Sequence, residues 1–461
     1  MRQHLNNRFY ELSQLSKDFE DKSLKPSEVT QFYLERISEQ DSKIKAFESI
    51  YFESALRAAR LADDQILNGN WKGPFHGIPF VLKDICDFKG HITTCGSALY
   101  KNRVSTSTAT IVQRLIKAGG ILLGKTKTVE FAFGGWGTNQ LMGTPWNPWD
   151  KENHRVCGGS SAGSAAAVAS NMACCAIGTD TGGSVRLPSA FCGLTGLKVG
   201  KSRLPTDGIM PLSHTLDTPG PMARSVNDVA IMFEALLGAA GKKFGDKIAN
   251  ARHKENFFKK GNRMLRLGVI DQKARSVCSS DVLNQYDKVI KTLNDFGLSI
   301  KTFKSPIDFS DISEKMSDLI AVEAYQHHGH LYENELNPVD EDVRQRVLKV
   351  KDYPEARYLN LLSDRHKDQE FFYDYFDRFD ALITPTTMDS APLLCDVDQA
   401  VSPGYFTRPA NYFDMCALSL PMGLNRNGLP LSLQISVRPE CEITAILIGA
   451  GIERVRDNFW R

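Results

Sequence analysis

Three segments carry side chains that could do acyl chemistry. Gly77-Ile-Pro-Phe-Val-Leu-Lys83-Asp84 ends an apolar run on a lysine. Gly158-Gly-Ser160-Ser161-Ala-Gly-Ser164 sets two adjacent serines at the head of an alanine run. Gly178-Thr-Asp180-Thr181-Gly182-Gly183-Ser184-Val-Arg186-Leu-Pro188 places another serine after paired glycines. A serine hydroxyl is a weak nucleophile until a base takes its proton as it attacks. A lysine can be that base only as the neutral amine, and withdrawal from water disfavours the ammonium. Lys83 directly follows Ile78 to Leu82, where burial would lower its pKa. The oxyanion of a tetrahedral intermediate needs unobstructed backbone N–H donors, and Gly182 and Gly183 provide bare backbone beside Ser184.

Three other motifs compete for a function. Gly119-Gly-Ile-Leu-Leu-Gly124-Lys125-Thr126 matches the phosphate-loop pattern GxxxxGK[ST], but the apolar Ile-Leu-Leu in its middle reads as strand and the preceding residues as helix. A phosphate cradle needs the opposite order, strand, glycine loop, helix, so the segment reads as a helix end entering a strand. His327-His-Gly-His330, with Glu323 four residues earlier on a helix, has metal-ligand types but no HExxH order, and reads as a solvated helix end. Gly159-Ser-Ser161-Ala-Gly163 matches the GxSxG nucleophile elbow, which requires a later acid and then a histidine. The histidines after Ser161 are 214, 253, 327, 328, 330 and 366, and the last 95 residues hold none.

Taken together, the lysine and serine segments resemble the amidase signature family, whose Ser-Ser-Lys triad takes a lysine after GxPxxxKD, a serine from GGSSxGSA and a nucleophilic serine from DxGGSxRxP. The spacings agree: 184 − 160 = 24 between the serines and 160 − 83 = 77 back to the lysine. The resemblance runs from about residue 10 to the C-terminus, including Thr384-Pro385, Arg408-Pro-Ala-Asn411 and Gly428-Leu-Pro-Leu-Ser-Leu-Gln434. It implies Ser184 as nucleophile, Ser160 on a cis Gly159–Ser160 peptide as proton relay, and Lys83 as base. Thr181, Gly182, Gly183 and Ser184 then form the oxyanion hole. Asp180, Ser161 and Arg186 support the site, and Ala132, Trp136 and Arg408 are candidates for the substrate wall. The implied enzyme hydrolyses a linear carboxylic amide through an acyl-serine, with no metal or cofactor. Its expected partners are a small-molecule amide and a second copy of the chain as a homodimer, with no direct contact to nucleic acid or membrane. The alternative within the family is the glutaminase A subunit of a tRNA-dependent amidotransferase. Val129-Glu-Phe-Ala-Phe-Gly-Gly-Trp-Gly-Thr138 departs from the DEFAMGSS-type run of those subunits, and Lys198-Val-Gly200 replaces their Lys-Pro-Thr. A stand-alone amidase is favoured; a binding-only homologue is opposed by the intact triad positions.

These residues need a scaffold, and the pattern around them supplies one. Apolar runs at Ile78–Leu82, Ile121–Leu123, Ala176–Ile177, Leu265–Ile270 and Ala381–Ile383 alternate with helical periodicity at 108–118, 225–237, 281–296 and 442–455. Pro26-Ser27-Glu28 opens an upstream helix with Val29, Phe32, Tyr33 and Ile37 on its apolar face. Strands alternating with helices imply α/β, and Leu420–Val437 folding back at Asn425-Arg-Asn-Gly428 makes the sheet mixed. The expected fold is the amidase signature fold, a central mixed sheet with helices on both faces, as one domain over 1–461 with its core at about 77–230.

Composition agrees. From 156 to 200 only Asp180, Arg186 and Lys198 are charged, 3 of 45 residues where the chain's 24% would give about 11, so this glycine-rich stretch is packed inside. A net charge of +2 gives no global field for nucleic acid. The N-terminus lacks a signal peptide's apolar core, no window is long and apolar enough to span a bilayer, and the ten cysteines form no CxxC pair. These features point to the cytoplasm.

Overall fold

The computed structural model describes residues 10–241, 245, 248, 257–260 and 263–456. Eleven strands form its central sheet: β1 (Phe47–Ile50), β2 (Pro79–Lys83), β3 (Ile121–Thr126), β4 (Cys175–Asp180), β5 (Thr195–Lys198), β6 (Thr218–Ala223), β7 (Arg266–Ile270), β8 (Ser299–Phe303), β9 (Ala381–Pro385), β10 (Cys416–Leu424) and β11 (Pro430–Val437). Across the sheet they lie in the order β1-β3-β2-β4-β6-β5-β10-β11-β9-β7-β8. The β3-β2-β4 and β9-β7-β8 groups are parallel. Every other neighbouring pair is antiparallel, with β10 and β11 forming the expected hairpin. The result is a mixed α/β fold with helices flanking a large sheet, as the sequence predicts.

The expected helices lie within two residues of their anticipated bounds, at Thr110–Lys117, Val226–Leu237, Ser280–Asp295 and Glu442–Arg456. The upstream helix spans Pro26–Ile44, with Val29, Phe32, Tyr33 and Ile37 all buried. A further helix, Leu12–Glu20, precedes it and buries Leu12, Leu15 and Phe19. Of the helix Phe309–Tyr332 the sequence marks only the end around Glu323–His330, and the helix Glu355–Phe376 goes unmarked, for opposite reasons. The first buries every residue from Leu319 to Ala324, so no single face stands out; the second buries only Phe372 and Phe376.

Small residues let the backbone close up around the future site. In the helix Ala162–Ala169 everything from Ala162 to Val168 is buried. A Cβ added to Gly163 would lie 2.6 Å from Lys127 N and would also collide with Ala46 O, so this helix approaches the neighbouring backbone at a distance only glycine allows. The phosphate-loop look-alike is a helix end entering β3, as expected: Gly119 N–H donates to Ile116 O at 2.9 Å, and Lys125 lies inside the strand. All ten cysteines are free. Among the described residues no helix is long and apolar enough to cross a membrane.

Candidate active site

Lys83 is the last residue of β2, a strand buried along its whole length between β3 and β4. Its ammonium group therefore has no route to solvent. Nζ donates to Ser160 Oγ at 2.7 Å and to Thr179 Oγ1 at 2.8 Å. Both partners are neutral hydroxyls, and among the described residues no carboxylate stands within ion-pair distance of it. Burial pushes its pKa down to about 7, with the fields of Cys86, Asp217 and Asp180 opposing only in part. A buried lysine poised near neutrality is a base at physiological pH.

Ser160 stands at the turn into the helix Ala162–Ala169, on a cis Gly159–Ser160 peptide. Its carbonyl accepts from Val129 N at 3.2 Å and Thr128 Oγ1 at 3.0 Å, which tethers the turn to the segment after β3. Ser161, the serine of the elbow-like GxSxG, is fully buried. Its Oγ exchanges hydrogen bonds with the Thr179 backbone, accepting at 3.3 Å and donating at 3.4 Å. An elbow serine must face solvent; this one tacks the helix to β4.

Ser184 lies in the loop between β4 and the helix Arg186–Phe191 and is 8% exposed. Its hydroxyl, and the N–H groups of Gly182 and Ser184, have no hydrogen-bond partner among the described residues. The loop's shape is set by Asp180. Its Oδ1 accepts Gly183 N–H at 2.8 Å, its Oδ2 accepts Val185 N–H at 3.1 Å, and Arg186 Nη2 pairs with Oδ1 at 2.9 Å. Burial would raise this carboxyl, but the Arg186 guanidinium and its hydrogen bonds hold it well below the usual carboxylate range. Gly183, expected among the oxyanion donors, thus has its N–H committed to Asp180. At φ +131 its bare Cα instead admits Thr407 Oγ1, with which a Cβ would collide.

Arg186 also explains why distant motifs accompany the serine loop. It donates to Thr407 O at 2.8 Å, Gln434 Oε1 at 2.7 Å and Asn411 Oδ1 at 2.6 Å, while Asn411 Nδ2 reaches Asp180 Oδ1 at 2.9 Å. Asn411 closes Arg408-Pro-Ala-Asn411 and Gln434 ends the run beginning at Gly428, so both motifs converge under the loop. Thr181 Oγ1 donates to Asp217 Oδ1 at 2.5 Å, and Asp217 in turn accepts the N–H groups of Leu212 and Ser213. Thr179, Asp217, Asn411 and Gln434 have no assigned role in the sequence reading; the only local cue is that Thr179 directly precedes Asp180.

A cavity of about 470 Å³ opens over Ser184, Thr181 and Gly182 and includes the three anticipated wall residues, Ala132, Trp136 and Arg408. Trp136 donates Nε1 to Val401 O at 2.7 Å and stacks on Phe191. Ile320 and Ala321 close it from the helix Phe309–Tyr332. Of the histidine cluster on that helix, His330 is exposed in the last turn and His327 partly so, as expected of a solvated helix end. His328 departs from that expectation: it is buried, stacked on Phe131 and bonded to Pro211 O at 2.8 Å.

The family model Amidase matches residues 28–443. The chain belongs to the amidase family. Among the relatives of this chain, the glutamyl-tRNA(Gln) amidotransferase A subunit from Acidothermus cellulolyticus is 32% identical over 92% of this chain and 90% of that protein. The 2-amino-5-chloromuconic acid deaminase of Comamonas testosteroni is also 32% identical, over 90% and 89%. In fold, this chain is similar to the peptide amidase of Stenotrophomonas maltophilia, with a TM-score of 0.82 at 24% identity covering 98% of both chains. The glutamyl-tRNA(Gln) amidotransferase A subunit from Thermotoga maritima superposes with a TM-score of 0.74 at 26% identity, over 93% of this chain and 91% of that one.

Proposed function

We propose that this amidase hydrolyses a linear carboxylic amide through an acyl-Ser184 intermediate, as a single catalytic domain over 1–461 working in the cytoplasm. The observation that carries the reading is Lys83, buried without a counter-charge and bonded to Ser160 at 2.7 Å. In the proposed cycle Ser184 Oγ attacks the amide carbon, its proton passes to Ser160 Oγ, and the Ser160 proton passes to neutral Lys83. The N–H groups of Thr181, Gly182 and Ser184 face the oxyanion. The relay then reverses, the C–N bond breaks, and the nitrogen departs with the returned proton. Water repeats the sequence on the acyl-serine, releasing the acid. Asp180, Arg186 and Ser161 hold the loop and helix in place.

A second reading has support in the names of relatives. In the glutaminase subunit of a tRNA-dependent amidotransferase, the same chemistry would supply ammonia to a partner. One experiment separates the two: the purified chain alone is offered a panel of amides, including free glutamine and an aryl amide, and ammonia release is measured. Release from a small amide, abolished in Ser184→Ala, supports the stand-alone enzyme. Activity only with glutamine, partner chains and charged tRNA supports the amidotransferase reading.

A further inference from the structure

Three cations line the cavity above Ser184: Arg346, Lys349 and Arg408. Lys349 pairs with Asp318 at 3.0 Å, a carboxylate it shares with Arg357. Arg346 feels the carboxylates of Asp342 and Asp340 and spends its donors on Phe133 O at 2.8 Å and Gln399 Oε1 at 2.5 Å. Arg408 differs. One of its nitrogens, Nη1, donates to Ser313 O and Ser317 Oγ, both at 2.8 Å, and both acceptors are neutral. Among the described residues its Nε and Nη2 have no hydrogen-bond partner, and no carboxylate lies within ion-pair distance. Burial lowers its pKa to about 10, with Arg346 adding like-charge repulsion, so the group remains a guanidinium at neutral pH. Arg408 is half-buried in the cavity wall, and a guanidinium there with no carboxylate beside it and two donors unspent is suited to an anion that enters the cavity.

The position of Arg408 limits that ligand. A Cβ on Gly182 would lie 3.7 Å from Arg408 Cγ, so the side chain passes the nucleophile loop on its way to Ser313 and Ser317 and lines the same cavity as Ser184. Ile320, Leu187 and Ala321 fill the wall around it with hydrocarbon. We infer that Arg408 binds a carboxylate on the acyl part of the substrate, a few carbons from the scissile carbonyl, so that the preferred substrates are half-amides of short dicarboxylic acids. A planar carboxylate matches the two donors left free on the guanidinium fork. This inference rests on the amidase reading for the reaction, though not for the binding.

Succinamate and glutaramate should be compared with the uncharged isosteres butyramide and valeramide, in wild type, Arg408→Met and Arg408→Lys. Succinate and glutarate binding is measured in parallel by calorimetry. The expected result is a kcat/KM at least about tenfold higher for the half-amides in wild type, carried mostly by KM, collapsing in Arg408→Met and partly regained in Arg408→Lys. Equal or better hydrolysis of the uncharged amides by wild type overturns the inference and leaves the amidase reading standing. If no amide is hydrolysed but both diacids bind wild type and not Arg408→Met, the anion site stands and the amidase reading falls. Neither hydrolysis nor binding overturns both. Glutamine, the 2-amino derivative of glutaramate, turned over faster than glutaramate would support the carboxylate site and call for an ammonium site beside it. The calorimetry on wild type alone decides the anion site if the variants fail to fold.

Discussion

Two lysines lie fully buried on adjacent strands of one sheet and have opposite environments. Lys125 on β3 sits 3.3 Å from Asp84 and also donates to Ile92 O and to the Thr93 hydroxyl. Lys83, on β2 and opposite Thr126 in register, has only the hydroxyls of Ser160 and Thr179. Burial pushes the Asp84 carboxyl up to about 6 against the pull of Lys125 and Thr94. What separates a structural lysine from a basic one is therefore the partner and not the depth. Lys125 has a carboxylate at ion-pair distance, whereas Lys83 has none to favour its ammonium form. The GxxxxGK[ST] match at Lys125 is thus a packing feature, while the less conspicuous lysine after Leu82 stands beside Ser160.

Exchanging each lysine for methionine should separate the two roles. Lys83→Met should lower amide hydrolysis by about 10³-fold or more, as loss of a general base does, while its urea midpoint stays at or above that of wild type. Lys125→Met should do the reverse. It leaves Asp84 buried without its cation, at a cost of about 3–5 kcal/mol in urea unfolding, with turnover per folded molecule retained. If Lys125→Met loses activity without losing stability, the division between the two lysines is wrong.

A smaller effect sharpens the role of Lys83. In the proposed cycle Lys83, as ammonium, returns a proton to the departing nitrogen, which an amide requires and an activated phenyl ester does not. Lys83→Ala should therefore reduce hydrolysis of an amide by roughly tenfold more than that of the matched ester. Equal losses would mean that Lys83 serves only the attacking serine.

The smallest expected effect is on stability against pH. Lys83 titrates at about 7 in the folded chain and near ~10.4 when unfolded, so between these values the unfolded state binds more protons and stability rises with pH. The penalty for burying the amine is complete below pH 7 and is relieved above it. The stability gap between Lys83→Met and wild type should narrow by up to about 2 kcal/mol from pH 7 to pH 9, read from urea midpoints. A constant gap would place the folded pKa outside that window.

Much of this was legible in the chain. The apolar run before Lys83, the serine pair before small residues and the paired glycines before Ser184 are contiguous, and each is positioned by the element it opens or closes. The sheet, too, announced itself through short apolar runs, and the Asn425–Gly428 turn made it mixed. What stayed hidden depends on approach through space. Thr179 is an ordinary strand threonine until β4 pairs with β2, and Asn411 and Gln434 become partners of Arg186 only once their segments meet under the loop. Gly183 looked like an oxyanion donor because its sequence position cannot reveal that Asp180 takes its N–H. His328 looked solvated because the inward face of its helix is set by Phe131, almost two hundred residues earlier.

The central claim is that a neutral Lys83 activates Ser184 through Ser160. It is tested most directly by the rate at which a fluorophosphonate modifies the protein as a function of pH, with the modified residue located by mass spectrometry. In wild type the label should fall on Ser184, at a rate rising with pH about a midpoint near 7. In Lys83→Met the same label should form slowly and without that inflection. An unchanged profile in Lys83→Met, a wild-type midpoint near the ~10.4 of a solvated lysine, or labelling of Ser161 would contradict it.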